Sequence, residues 1–226
     1  MLVWMLLQIS TTSAAEFNPD RPGFADSTGA VPKGSLLTEI GATMNATGEG
    51  SSVAAPGLLI RGGLGAGVEL RVAAPDLGFS LNGGDASVGG PAFGLKATAS
   101  AGDIGFSVVG MAPVVPAATL ADGFGFPLIG LNAAGPINDV YGWGLNTVAT
   151  FGEDPTISWA GSAALGRTVG SRAGCYVQVA ADTASSPLVG AGGTFTPLGA
   201  LQLDLFVDYF PFDNAANIGI GIAKQW

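Results

Sequence analysis

The chain has no histidine, one cysteine, and only 8 Lys and Arg among 226 residues. The missing imidazole excludes Ser-His-Asp relays, histidine general bases and His-ligated metals. One cysteine cannot form an internal disulfide. With 17 Asp and Glu the net charge is −9, which argues against nucleic acid as a partner, since phosphates need clustered Lys and Arg. Charged residues make up 11% of the chain, against about 25% in an ordinary soluble domain. Long apolar runs are also missing: beyond residue 15 no stretch reaches the roughly 20 residues of a spanning helix. Yet 48% of the residues are hydrophobic, mean hydropathy is +0.46, and there are 37 glycines. The composition is too greasy for a water-soluble protein and wrongly patterned for a helical membrane protein.

Residues 1–15, MLVWMLLQISTTSAA, carry an apolar run from Leu2 to Leu7 and then small residues ending in Ala14-Ala15. That order is the signature of a secretory signal peptide cut near Ala15. No Lys or Arg precedes the run: either the true start lies upstream or the α-amino group supplies its only positive charge. Cleavage there leaves 16–226 as the exported chain.

The body of the chain alternates with period two, the mark of strands with two unlike faces. Val68, Leu70 and Val72 oppose Glu69 and Arg71; Leu201, Leu203, Leu205, Val207 and Tyr209 oppose Gln202, Asp204, Phe206 and Asp208. Tyr141, Trp143, Leu145 and Phe151 oppose Gly142, Gly144, Asn146 and Thr150, and Ile218, Ile220, Ile222 and Trp226 oppose Gly219, Gly221, Ala223 and Gln225. The pattern recurs until about twelve strands fill residues 34–226. Connections near 46–55, 74–90 and 112–124 read as long, and those near 63–66 and 99–102 as short. Such alternation of loop lengths, with aromatics near strand ends (Tyr141, Phe151, Trp159, Tyr209, Trp226), is the habit of transmembrane β-barrels. A sheet in hydrocarbon must close, because edge N–H and C=O groups find no partner there. A soluble sandwich would carry charge on its second face; here that face is Gly, Ala, Ser and Thr. The expected fold is therefore an all-β, antiparallel transmembrane barrel of about 12 strands, embedded in a lipid bilayer.

A resemblance appears at residues 19–41. Pro19-Asp20-Arg21-Pro22-Gly23-Phe24-Ala25-Asp26-Ser27, then Val31-Pro32-Lys33-Gly34, then Leu37-Thr38-Glu39-Ile40-Gly41 resemble the opening of the meta-pathway phenol degradation (MetA-type) family of bacterial outer-membrane β-barrel transporters. The resemblance implies an Asp-Arg-Pro plug-like segment, a Val-Pro-x-Gly turn and a first strand with an inward Glu. It also implies uptake of small hydrophobic or aromatic molecules. The alternating end closed by Trp226 is similar to the C-terminal aromatic signal read by the outer-membrane assembly machinery, with Lys224 interrupting the apolar side.

If the aliphatic residues define the outside, Glu39, Arg61, Glu69, Arg71 and Lys96 project inward on successive strands, and Asp204 and Asp208 lie near the closing seam. Glu39 is expected to approach Asp204. Charges inside a membrane protein persist only when paired or solvated. Two readings fit: a polar constriction that selects solutes, or an ion-pair network that fills the lumen. Asp20 and Arg21 belong to segment 16–33, read as a plug or as a periplasmic tail.

Other motifs carry little. The glycines of Gly62-Gly63-Leu64-Gly65-Ala66-Gly67 precede a strand rather than a helix, so a hairpin turn fits better than a phosphate loop. Cys175 alternates with Val177 and Val179 and reads as a small hydrophobe. The acidic residues Glu49, Asp76, Asp85 and Asp122 lack a twelve-residue calcium-loop pattern. No catalytic residue, metal site or cofactor is expected, and the chain reads as a channel or transporter rather than an enzyme. The alternative is a structural or adhesive barrel with a filled lumen and functional extracellular loops.

Overall fold

The computed structural model describes residues 17–20, 26–74, 77–84, 86–88, 90–114, 127–152, 157–183 and 186–226. The strands run β1 (Leu36–Thr47), β2 (Gly50–Ala55 and Leu59–Gly65), β3 (Val68–Ala73 and Leu77–Ser80), β4 (Ser87–Val88 and Ala92–Ala101), β5 (Ile104–Pro113) and β6 (Leu128–Pro136). They continue with β7 (Tyr141–Phe151), β8 (Ile157–Val169), β9 (Ala173–Asp182), β10 (Leu188–Leu198), β11 (Leu201–Phe210) and β12 (Ala215–Gln225). Each strand pairs antiparallel with the next, and β12 pairs with β1, so the 12-strand sheet closes on itself. At the seam Leu36 and Trp226 exchange both backbone hydrogen bonds, at 3.2 and 2.8 Å.

Strands β2, β3 and β4 each come in two pieces. Pro56 and Pro91 are among the described residues between the pieces, and a proline withholds the N–H that a ladder needs.

One rim carries the connections 66–67, 102–103, 137–140, 170–172 and 199–200, none longer than four residues. The other carries 48–49, 81–86, 114–127, 152–156, 183–187 and 211–214. The longer connections share one rim as expected, but 48–49 is as tight as any turn on the other rim, and two segments are shorter loops than expected. Most of 46–55 is strand, and 74–90 contains Leu77–Ser80 and Ser87–Val88. These Gly- and Ser-rich stretches are held by ladder bonds, to which side-chain identity is indifferent. The Gly65-Ala66-Gly67 turn is the hairpin the glycines suggested, with φ of 97°, 51° and 72°.

The alternation sorts inside from outside. Ile40, Leu70, Leu95, Phe106, Leu131, Leu145, Val177, Leu205 and Ile220 stand exposed on the outer face, with Trp159, Tyr209 and Trp226. Their register partners' neighbours, the charged and small residues, face the lumen. An exterior this uniformly apolar belongs in hydrocarbon, and full closure leaves no edge there. Cys175 is exposed on that exterior. Lys224 also points outward, its ammonium 5.4 Å from the Trp226 ring centre.

Candidate functional site

The inward faces of β1–β4 carry charge that nothing in hydrocarbon could tolerate alone. Glu39, Arg61, Glu69 and Lys96 are 0% exposed, and Arg71 is 2% exposed. Register brings them together: Arg61 faces Arg71, and Glu69 faces Lys96. Like charges directly opposite repel, and carboxylates offset that repulsion. Arg61 donates to Glu39 at 3.0 Å and to Glu69 at 2.7 and 3.0 Å.

The N-terminal segment completes the cluster. The Asp20 carboxylate contacts Arg61 at 3.2 Å, Lys96 at 3.1 Å, and Arg71. The Asp20 backbone N–H donates to both Glu39 oxygens, and the Val31 N–H donates to Glu69 at 2.8 Å. Asp26 pairs with Arg71 at 3.0 Å. Burial pushes the Asp26 carboxyl up from its ordinary value, against the pull of Lys96 and Arg61. Ser27 donates to Asp20 at 2.6 Å and accepts from Lys96 at 2.9 Å.

From Ser27 a polar ladder runs on: Ser107 donates to the Ser27 carbonyl, Asn132 to Ser107, and Asn146 to Asn132. The segment lies so close to the wall that two glycines are needed beneath it. A Cβ on Gly63 would sit 2.0 Å from the Pro32 carbonyl oxygen, and one on Gly105 would sit 2.5 Å from the Thr28 hydroxyl.

The opposite wall is different. A cavity of about 1060 Å³ opens toward the short-turn rim, between residues 28–33 and the small residues of β6–β10, among them Ala134, Gly142, Gly166, Gly174 and Thr194. Tyr176 also lines it, and its ring covers Gly192, where a Cβ would meet the ring at 2.4 Å. Phe206 covers Gly219 in the same manner.

Of the other inward acids, Asp208 is 1% exposed and accepts from Gln178 at 2.8 Å. Asp204 is buried as well. The expected approach of Glu39 to Asp204 is not what the register provides. Glu39 is level with Ala223 and Gln202, while Asp204 is level with Gly221, so the strand β12 separates β1 from Asp204. Arg21 lies outside the described residues, as do Asp76, Asp85 and Asp122.

The expectations omitted Asp26, Ser27, Ser107, Asn132, Tyr176 and Gln178. Ser107, Asn132 and Asn146 left a signal, being polar at alternate positions of three successive strands. Among the described residues no three or more His, Cys, Asp or Glu cluster as metal ligands do.

No family model and no curated protein matches the chain, so the resemblance in residues 19–41 stands on those residues alone. Solved structures do match. A KdgM porin superposes with a TM-score of 0.61 at 9% identity, covering 82% of this chain and 98% of that one. A KdgM porin in complex with disordered oligogalacturonate gives 0.61 at 8% identity, with 83% and 98% covered. A NanC porin gives 0.54 at 6% identity, with 83% and 98% covered. The likeness is one of fold: the closed antiparallel barrel with an apolar exterior.

Proposed function

We propose that this chain is a bacterial outer-membrane channel that passes small molecules, hydrophobic or aromatic ones among them, through a lumen narrowed by its own residues 16–33. The observation that carries the reading is the cavity beside β6–β10, in a barrel whose other wall is filled. Porin-like architecture supports passage. The Tyr176 ring at the cavity and the resemblance at residues 19–41 support an aromatic or hydrophobic solute. Residues 1–15 act as the export signal, Asp20 and Arg21 belong to the plug, and Glu39, Arg61, Glu69, Arg71 and Lys96 anchor it. Asp204 and Asp208 line the remaining path. Trp226 presents the C-terminal signal to the assembly machinery. The role is conduction without covalent chemistry.

Liposome swelling with purified, folded protein tests this. Entry of small uncharged solutes, phenol-sized aromatics included, is expected. Protein that inserts but passes no solute contradicts it. The buried network on β1–β4 favours a second reading, a structural or adhesive barrel with functional loops. Removing connections 81–86 and 114–127 separates the two: uptake survives in a channel, and partner binding is lost in an adhesin.

A further inference from the structure

A glycine inside a strand weakens it and marks a place where something else comes close. Two inward glycines of this barrel lie beneath aromatic rings: Gly192 on β10 under Tyr176, and Gly219 on β12 under Phe206. Of the two rings, Tyr176 lines the cavity. The other inward residues of β6–β10 along that cavity are Gly, Ala, Pro and Thr. Tyr176 is therefore the one bulky inward side chain on this wall of it.

The ring has two places to rest. Tyr176 is level with Gly166 on β8 and with Gly192 on β10. It lies over Gly192. A Cβ on Gly192 would sit 2.4 Å from Cε1, 2.5 Å from Cζ and 2.5 Å from the hydroxyl oxygen of Tyr176. The outer end of the ring thus occupies the space that a side chain at 192 would take. On the other flank, a Cβ on Gly166 would meet nothing closer than a backbone oxygen at 3.9 Å. Gly166 lines the cavity too, so that second place is open and belongs to the passage. Gly192 is not among the residues with positive φ. Its backbone accepts an L side chain, and the obstacle to one is the ring. Added bulk in a packed site forces side chains from their rotamers. A methyl at 192 would push the ring off β10, toward Gly166 and the space between the wall and residues 28–33.

We propose that Gly192 is a specificity-determining residue of the passage, acting through Tyr176: it seats the ring against β10 and so sets the width available to a solute. Gly192 is a positioning residue, and the ring is the part that meets what passes. The proposal rests on the channel reading above and adds to it a selection by width.

Single-channel current, together with liposome swelling in arabinose and in sucrose, tests it on the full chain; the two sugars are neutral and differ in size. Gly192→Ala is expected to reduce the current and to slow sucrose more than arabinose. Tyr176→Ala is expected to raise the sucrose-to-arabinose entry ratio, and adding Gly192→Ala to it should then change neither current nor ratio. Tyr176→Phe keeps the ring and should match the unsubstituted protein. A loss of current from Gly192→Ala that persists without the Tyr176 ring overturns the proposal. So does an entry ratio that neither substitution moves while arabinose still enters, and the channel reading then stands. Should Gly192→Ala fail to fold, Tyr176→Ala decides: a raised ratio supports the proposal and an unchanged one overturns it. If arabinose does not enter with the unsubstituted protein or with Tyr176→Ala, the channel reading falls and the proposal with it.

Discussion

The two halves of the barrel solve the same problem in opposite ways. A closed sheet of 12 strands encloses more space than its small inward residues fill. On β1–β5 the space is taken by the chain's own N-terminal segment, held by three buried cations and four carboxylates, of which all but Asp26 are buried. On β6–β10 it is lined largely by Gly, Ala and Thr, with Tyr176 among them, and left as a cavity. Glycine serves both halves for different reasons. Gly63 lets backbone approach backbone and Gly105 makes room for the Thr28 side chain, whereas Gly166 and Gly174 carry no side chain into the cavity they line. A residue's contribution here depends less on its type than on whether the segment lies over it.

The sharpest way to break this contrast is at Arg61. Arg61→Ala leaves Glu39 and Glu69 buried without their shared cation, and breaking such a pair costs about 3–5 kcal/mol. The folded form should lose its resistance to heat in detergent, read as a mobility shift on gels. Gly63→Val comes next, because its side chain would collide with the backbone carbonyls of Val31 and Pro32. Overpacking of this kind costs about 1–3 kcal/mol, and by lifting the segment it should raise single-channel conductance.

The matching change on the other wall is Gly166→Val. A Cβ there meets nothing closer than 3.9 Å, so stability should hold within about 0.5 kcal/mol while conductance falls. Equal effects of the two glycine substitutions on stability and current would erase the distinction between the walls. The smallest effect is expected at Lys224→Ala. It removes an exposed contact with the Trp226 ring worth about 0.5–1 kcal/mol, visible as a slight drop in unfolding midpoint.

Much of the fold was legible because alternation is a local property. The pairs around Leu70, Leu145, Leu205 and Ile220 assigned faces to strands without any tertiary information. The inward placement of Glu39, Arg61, Glu69, Arg71 and Lys96 followed from the same period. What stayed hidden depends on register and on partners far along the chain. Ser27 and Ser107 are 80 residues apart, and nothing in either predicts the other. Glu39 was expected near Asp204 because first and last strands meet, but a closing strand of small residues stands between their strands. The stretches 50–55 and 77–80 read as loops because their Gly and Ser content conceals a ladder made by backbone alone.

The central claim is that conduction runs beside a segment that stays in place. It is tested most directly by locking that segment. In a Cys175→Ala background, Thr28→Cys with Gly105→Cys places two thiols where the Thr28 Cβ and a Cβ on Gly105 are 3.0 Å apart, inside the roughly 3.5–4.5 Å of a disulfide, so residue 28 shifts outward slightly as the bond forms. The account predicts that the oxidised protein carries the same single-channel current as the reduced protein. A current that disappears on oxidation and returns with reductant would show that the segment must leave before anything passes, and would contradict it.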